Sequence, residues 1–271
     1  MLHTARSSTL RCDKRAVSVT RLFYPPLVVL FPMANVYFAS DTHFGAGSAE
    51  SQASRETRFV AWLDSIAPDD RLYLLGDIFD FWLDYPNYMP KGNLEVLYGL
   101  RRVLDRGVEV RFVGGNHDIW CAEYLEANLG IETLPCGVVV EHQGVRLRLD
   151  HGDGLLSGDR FYRIFRAAVR TPALVFLAKS LHPELLHRFA SWLSSTSRKS
   201  HNANTEEILG MIRRYGELHS HADVDYLVVG HIHVPTQQQF EGWVFTCLGD
   251  WVAHSTVGRL REGKLDVVPV P

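Results

Sequence analysis

The sequence predicts an α/β domain, and three observations carry the prediction. Short apolar or alternating runs recur along the chain with amphipathic segments between them. Polar clusters rich in Asp, His and Gly directly follow those runs. Of the 271 residues, 46% are hydrophobic, enough to bury a full core in one large domain or a domain with an insertion.

Strands are predicted near 36, 72, 109, 137, 145, 226, 243 and 256. Val36 to Ala39, Leu72 to Leu75, Val108 to Val113 and Tyr226 to Val229 are apolar or alternating, and Val145 to Leu149 alternates as a half-buried strand does. Helices near 54–66, 92–106 and 121–129 separate the early strands, which implies parallel pairing there. A further helix is predicted at 205–218. Beyond Tyr226 the connections shorten, and hairpins are expected.

Between the strand ending at Leu149 and the one starting at Tyr226, residues from about Leu155 to Tyr215 read as a helical insertion. Arg160, Arg163, Arg166 and Arg170 recur at three- and four-residue spacing along one face. Beside them run Phe161, Ile164, Phe165 and Val169, then Leu174 to Leu177 and Leu185, Leu186, Phe189, Trp192 and Leu193. A basic face beside an apolar one fits a lid over a site for an anionic, partly apolar ligand. Helices packed on their own domain give the same pattern.

Five polar clusters punctuate the chain: Asp41-Thr42-His43, Gly76-Asp77 with Asp80, Gly115-Asn116-His117-Asp118, His151-Gly152-Asp153 and Gly230-His231-Ile232-His233. They sit just past strand ends, where open α/β sheets bind ligands. Taken singly, Asp-x-His or Gly-Asn-His-Asp is an ordinary polar turn. His231 and His233 alternate on an extended segment and so point to one side. The joint occurrence, in order, points to metal. Seven residues are natural ligands: Asp41, His43, Asp77, Asn116, His151, His231 and His233. If Asp77 bridges two divalent ions, each ion receives four protein ligands, with positions left for a shared water and substrate oxygens. That layout suits in-line attack on phosphorus. A mixed oxygen and nitrogen set without Cys suits Mn²⁺, Fe or Zn²⁺, and Mn²⁺ is preferred.

These blocks resemble those of the calcineurin-like metallophosphoesterase superfamily, from about residue 35 to 260. The resemblance implies a sandwich of two mixed β-sheets flanked by helices, with the helical insertion as a lid. It implies Asp41, His43, Asp77 and His233 on one ion, and Asp77, Asn116, His151 and His231 on the other. His117 would face the scissile phosphate as a catalytic group, with Asp118 orienting its imidazole. Asp80 and Asp153 read as carboxylates supporting the ligands, or as ordinary turn residues.

A narrower resemblance rests on Gly76-Asp77-Ile78-Phe79-Asp80-Phe81-Trp82, on His151-Gly152-Asp153-Gly154 running into Asp159, Tyr162 and Phe165, and on Leu248-Gly249-Asp250-Trp251. These are similar to the UDP-2,3-diacylglucosamine pyrophosphohydrolases of lipid A synthesis, which release UMP. That likeness implies substrate contacts at Asn116, His117, Asp159, Tyr162, Ser197 and His231, and a lipid-linked nucleotide met at a membrane surface by peripheral contact, on the inner face of a bacterial inner membrane. The best-known members carry Arg where this chain has His117, which leaves another nucleotide or phosphate ester as the alternative substrate. A non-enzymatic binding module on the same scaffold is the third reading, opposed by the presence of all seven ligands and His117.

Composition excludes other classes. A net charge of −3 gives no electrostatic footprint for nucleic acid. Cys12, Cys121, Cys136 and Cys247 show no paired spacing and read as reduced thiols of a cytoplasmic protein. No apolar run approaches the roughly 20 residues needed to span a bilayer. Residues 1–32 are basic and then apolar; Met33 is read as the true start, with the preceding stretch upstream or disordered, and a lipid-touching arm as the alternative.

Overall fold

The computed structural model describes residues 34–85, 87–156, 171–186, 188–189, 204–221 and 223–270. The expected N-terminal extension lies outside the described residues, as do Arg160, Arg163, Arg166 and Arg170 and much of the expected lid.

Two mixed sheets face each other. In the first, β1 (Val36–Ala39), β2 (Arg71–Leu74), β3 (Glu109–Val113) and β4 (Glu132–Leu134) run parallel, in the order β11-β10-β1-β2-β3-β4. The hairpin β10 (Thr256–Arg261) and β11 (Lys264–Pro269) completes it, β10 lying antiparallel to β1. The second sheet has the order β5-β6-β7-β9-β8. In it β6 (Val145–Leu149), β7 (Tyr226–Val229) and β9 (Trp243–Cys247) are parallel, flanked by antiparallel β5 (Val138–His142) and β8 (Thr236–Phe240).

Strand alternation explains the layers. In β2, Leu72 and Leu74 join the side chains of α1 (Ala49–Ser65) and α2 (Leu94–Asp105), among them Phe59, Leu63, Leu100 and Val103. Tyr73 and Leu75 point the other way, to Leu147, Leu149 and Val228 of the second sheet. On that sheet's outer face, Ile212 and Tyr215 pack against Leu227, Val229 and Phe245. They belong to the helix Thr205–Leu218, here α4, which follows the short α3, Pro172–Lys179. The stack is therefore helix, sheet, sheet, helix. Each fully buried Leu or Phe contributes on the order of 1.5–3 kcal/mol by leaving water.

Local signals set the helix ends. The Ser48 side chain caps α1 by accepting from Ser51 N at 3.2 Å. Asn204 and Glu207 form a capping box on α4.

Three strands depart from the sequence expectation. β4 is only three residues long, and β8 reads Thr-Gln-Gln-Gln-Phe, a polar string with no hydrophobic period. β8 is an edge strand whose ladder partner is β9, and Gln237 Nε2 donates to Leu265 O at 3.0 Å. β11 exists because β10 pairs with it residue for residue from Thr256 to Arg261. The helix expected at 121–129 is instead a succession of short 3₁₀, α and π turns. Helix α1 starts at Ala49, ahead of the expected residue 54.

Candidate metal centre

The parallel strands β1, β2 and β3 of one sheet and β6 and β7 of the other end at one place. The loop after β1 stays zipped to the loop after β2: Asp41 N donates to Gly76 O at 3.1 Å, His43 N to Asp77 O at 3.0 Å and Phe44 N to Ile78 O at 2.9 Å. Gly230 N donates to His151 O at 3.0 Å, tying the ends of β6 and β7. The two sheets are joined by His231 N, which donates to Asp41 Oδ2 at 2.8 Å. Gly76 and Gly115 touch so closely that a Cβ on Gly115 would collide with the Asp77 carboxylate.

Asp41, His43, Asp77, His231 and His233 all have positive φ, between 46° and 62°. Non-glycine residues take this left-handed region at a cost, and such strain gathers at functional sites. The same alternation, positive φ at the first and third residue, occurs in Asp41-Thr42-His43 and in His231-Ile232-His233.

All seven expected ligands converge. His43 Nε2 and His233 Nε2 are 3.2 Å apart, and His233 Nε2 is 3.2 Å from Asp41 Oδ1. Asp41 Oδ1 is buried with no hydrogen-bond donor. Asp77 divides its two oxygens: Oδ1 accepts from His117 N at 2.9 Å, while Oδ2 is 3.3 Å from His151 Nε2 and 3.9 Å from His43 Nε2. His151 Nδ1 meets Leu75 O at 2.8 Å. A carbonyl only accepts, so Nδ1 donates there and Nε2 faces Asn116 Oδ1, at 3.0 Å, and the Asp77 carboxylate. A proton or a metal cation at Nε2 satisfies these oxygens. Asp41, His43 and His233 form one potential cation cage, and Asp77, His151 and His231 another. The residues fit divalent metal.

Electrostatics agree. Burial opposes ionisation of Asp77, yet the His151 and His117 charges hold its carboxyl well below the usual range. Burial likewise opposes Asp41, and the His233 imidazole that faces it brings it down. His151 is raised despite burial because Asp77 faces it. Burial and the neighbouring His151 push His231 down to about 3, so this imidazole is neutral and its lone pair is available.

His117 lies beside this centre, its Nε2 3.8 Å from Asp77 Oδ2. Asp118 does not orient it, contrary to the sequence expectation. Its buried carboxylate instead accepts from the backbone N–H groups of Gly115 at 3.0 Å, Asp77 at 3.1 Å, Ile78 at 2.6 Å and Phe79 at 3.3 Å. Burial and the Asp77 charge push it up to about 6. The imidazole is held by Asp80, whose backbone carbonyl meets His117 Nδ1 at 2.8 Å and whose carboxylate lies 3.8 Å from it. The same carboxylate is 3.6 Å from His43 Nδ1. Asp153 is buried. Sequence reasoning assigned no role to Asp250, which places Oδ2 3.6 Å from His233 Nδ1. Its signal was present: Leu248-Gly249-Asp250 follows β9 as Leu75-Gly76-Asp77 follows β2. Asp159, Tyr162 and Ser197 lie outside the described residues. Cys121 and Cys247 are buried free thiols.

The family model of the calcineurin-like phosphoesterases matches residues 34–235. A UDP-2,3-diacylglucosamine hydrolase of Porphyromonas gingivalis is 31% identical over 248 residues, 82% of this chain and 92% of that protein. One from Haemophilus influenzae is 30% identical over 223 residues, 81% and 91% of the two chains. Among solved structures, a phosphoesterase from E. coli is 19% identical, with a TM-score of 0.42 over 87% of this chain and 93% of that one.

Proposed function

The chain belongs to the calcineurin-like phosphoesterase family, a family with a divalent metal site, and from that premise we propose that it is a metal-dependent hydrolase of UDP-2,3-diacylglucosamine. It cleaves the pyrophosphate bond to give UMP and 2,3-diacylglucosamine 1-phosphate, a step of lipid A synthesis. The substrate reading rests on the P. gingivalis and H. influenzae relatives, matched over most of their length. The observation that carries the chemistry is the single Asp77 oxygen turned toward both His151 and His43, one from each potential cation cage.

In this reading Asp41, His43, Asp77 and His233 would hold one ion, and Asp77, Asn116, His151 and His231 the other, both Mn²⁺. When bound, the ions supply Lewis acidity that lowers the pKa of a water and neutralises the phosphoryl oxygens. Asp77 Oδ1, by accepting from His117 N, fixes its own plane and leaves Oδ2 to the centre. His117 is the proton donor to the departing oxygen. Its Nδ1 proton is committed to Asp80 O, so Nε2 donates as the imidazolium. Asp118 and Asp80 are positioning residues, the first for the loops, the second for the imidazole.

Contact with a membrane surface is part of the proposal. Leu174, Phe176, Leu177 and Leu181 are exposed on and just after α3, Phe176 by 75%, and an apolar face of this kind suits the edge of a bilayer. Among the described residues no helix is long and apolar enough to cross a membrane.

The test is UMP release from UDP-2,3-diacylglucosamine by chelated protein, with and without added Mn²⁺. Release only with metal is the expected result. No release by protein shown to hold two ions would discard the substrate and leave a phosphoesterase for another ester, the reading that His117 in place of Arg favours.

A further inference from the structure

A cavity of about 360 Å³ opens beside the metal centre on the His43 side. Its walls are His43, the Ala46-Gly47 turn, Val252 and one face of α1, from which Ser51, Ser54, Arg55 and Arg58 project. Those four positions stand at i, i+3, i+4 and i+7 and so share a face of the helix. The Ser51 hydroxyl is engaged with Ser48 O at 2.9 Å, which leaves Ser54, Arg55 and Arg58 as the donors.

Arg55 is the unusual member. It is 3% exposed. Its Nη2 donates to Ala46 O at 2.6 Å and His43 O at 3.1 Å, shaping the loop that carries His43. Its Nε is buried with no partner, and its Nη1 lies on the Gly47 side of the cavity. Among the described residues neither Arg55 nor Arg58 forms an ion pair. The nearby acids are otherwise engaged: Glu56 Oε1 accepts from Gln52 Nε2 at 2.6 Å, Asp250 Oδ1 from Ala253 N at 2.8 Å, and Asp80 faces His43 and His117. A buried guanidinium with an unused donor and no ion-pair partner among the described residues is costly unless an anion completes it. Arginine forks match the oxygens of a phosphoryl group.

We propose that this cavity is a phosphoryl subsite, in which Ser54, Arg55 and Arg58 hold the phosphoryl group of a diphosphate that is not attacked. The inference rests on the diphosphate substrate of the preceding section and extends it. The attacked phosphoryl lies at the ions, and its neighbour reaches past His43 into the cavity. A monoester or diester with a single phosphoryl group leaves the cavity empty, so the subsite selects diphosphates.

The test uses Arg58→Ala in the full chain, because Arg58 is exposed and, among the described residues, forms no ion pair. The probe is inorganic pyrophosphate, titrated by ³¹P NMR into chelated protein so that no ion competes for it. The Kd is expected to rise about tenfold in R58A, as for the loss of one charge-assisted contact. In ion-loaded enzyme, the KM for UDP-2,3-diacylglucosamine should rise about tenfold while kcat stays within about threefold. Arg55→Lys, checked for folding by circular dichroism, should weaken pyrophosphate similarly, since a point charge cannot serve both the loop carbonyls and the cavity. UMP release with unchanged pyrophosphate affinity in R58A overturns the subsite and leaves the reaction standing. Weakened pyrophosphate binding in R58A, in a protein that releases no UMP, keeps the subsite and removes the substrate.

Discussion

Asp118 Oδ2 accepts a hydrogen bond from Ile78 N at 2.6 Å, lashing the loop after β3 to the loop after β2. Three further backbone donors, of Gly115, Asp77 and Phe79, share the same carboxylate. Removing it strands four buried N–H groups at once. Asp118→Ala should therefore lower the unfolding free energy by roughly 3–5 kcal/mol, in the range of broken buried polar networks, and Asp118→Asn by less. Denaturant unfolding of metal-loaded protein measures this. A variant of unchanged stability that only loses turnover would return Asp118 to the role of imidazole partner.

The Asp77 carboxylate and the His117 imidazole approach to 3.8 Å, yet variants of the two residues should separate. Asp77→Ala removes the carboxylate that belongs to one cage and faces His43 of the other, so metal content and activity should fall together. His117→Ala should keep both ions and slow turnover by about 10²–10⁴, the usual worth of a positioned proton donor. Metal analysis beside initial rates decides it: equal metal loss in the two variants contradicts the assignment.

Chelation should destabilise the fold. Asp41 and Asp77 are fully buried carboxylates whose counter-charge, without metal, must come from protonated histidines. Free Mn²⁺ at a hundred times its Kd stabilises the folded state by about 2.7 kcal/mol. For a domain of this size that corresponds to roughly 5–10 °C in Tm. A melting curve indifferent to chelator and to restored Mn²⁺ would argue against a metal centre in the folded protein.

Stability should also depend on His142 and His221, both away from the ligands. Burial lowers each below 6.5, with Arg71 adding to the effect at His142 and Arg148 at His221. The sign follows: the unfolded chain takes up protons at these sites before the folded one, so their contribution is complete above pH 6.5 and is lost as pH falls below it. His142 Nε2 is 2.8 Å from Tyr73 Oη. His142→Gln keeps a polar partner there and does not titrate. Urea unfolding from pH 8 to 5 should give a shallower loss in H142Q than in the parent; identical slopes would refute the assignment.

The metal centre was legible because its ligands need strand ends. Asp41, Asp77, Asn116, His151 and His231 each follow an apolar or alternating run, so a period-two pattern plus a polar cluster located them without coordinates. β8 was illegible because Thr236 to Gln239 carry no hydrophobic period; the open edge of β9 supplies its hydrogen bonds. The exchange of roles between Asp80 and Asp118 was equally hidden. Both are carboxylates within three residues of a ligand, and chain neighbourhood favoured Asp118 as the partner of His117.

By itself the sequence determined the α/β class, the strand ends and the polar clusters that the fold brings together, because burial periodicity and donor chemistry are local properties of residues and their spacing. The tertiary structure alone decided which atoms meet. It turned Asp77 Oδ2 toward His151 and His43, gave the His117 imidazole to Asp80, and left Arg55 with an unpaired donor beside the centre. Those outcomes depend on the close approach of Gly76 to Gly115 and on positive φ at five ligand positions. Such conformations cost energy locally and persist because the packed sheets on either side fix the loops that carry them.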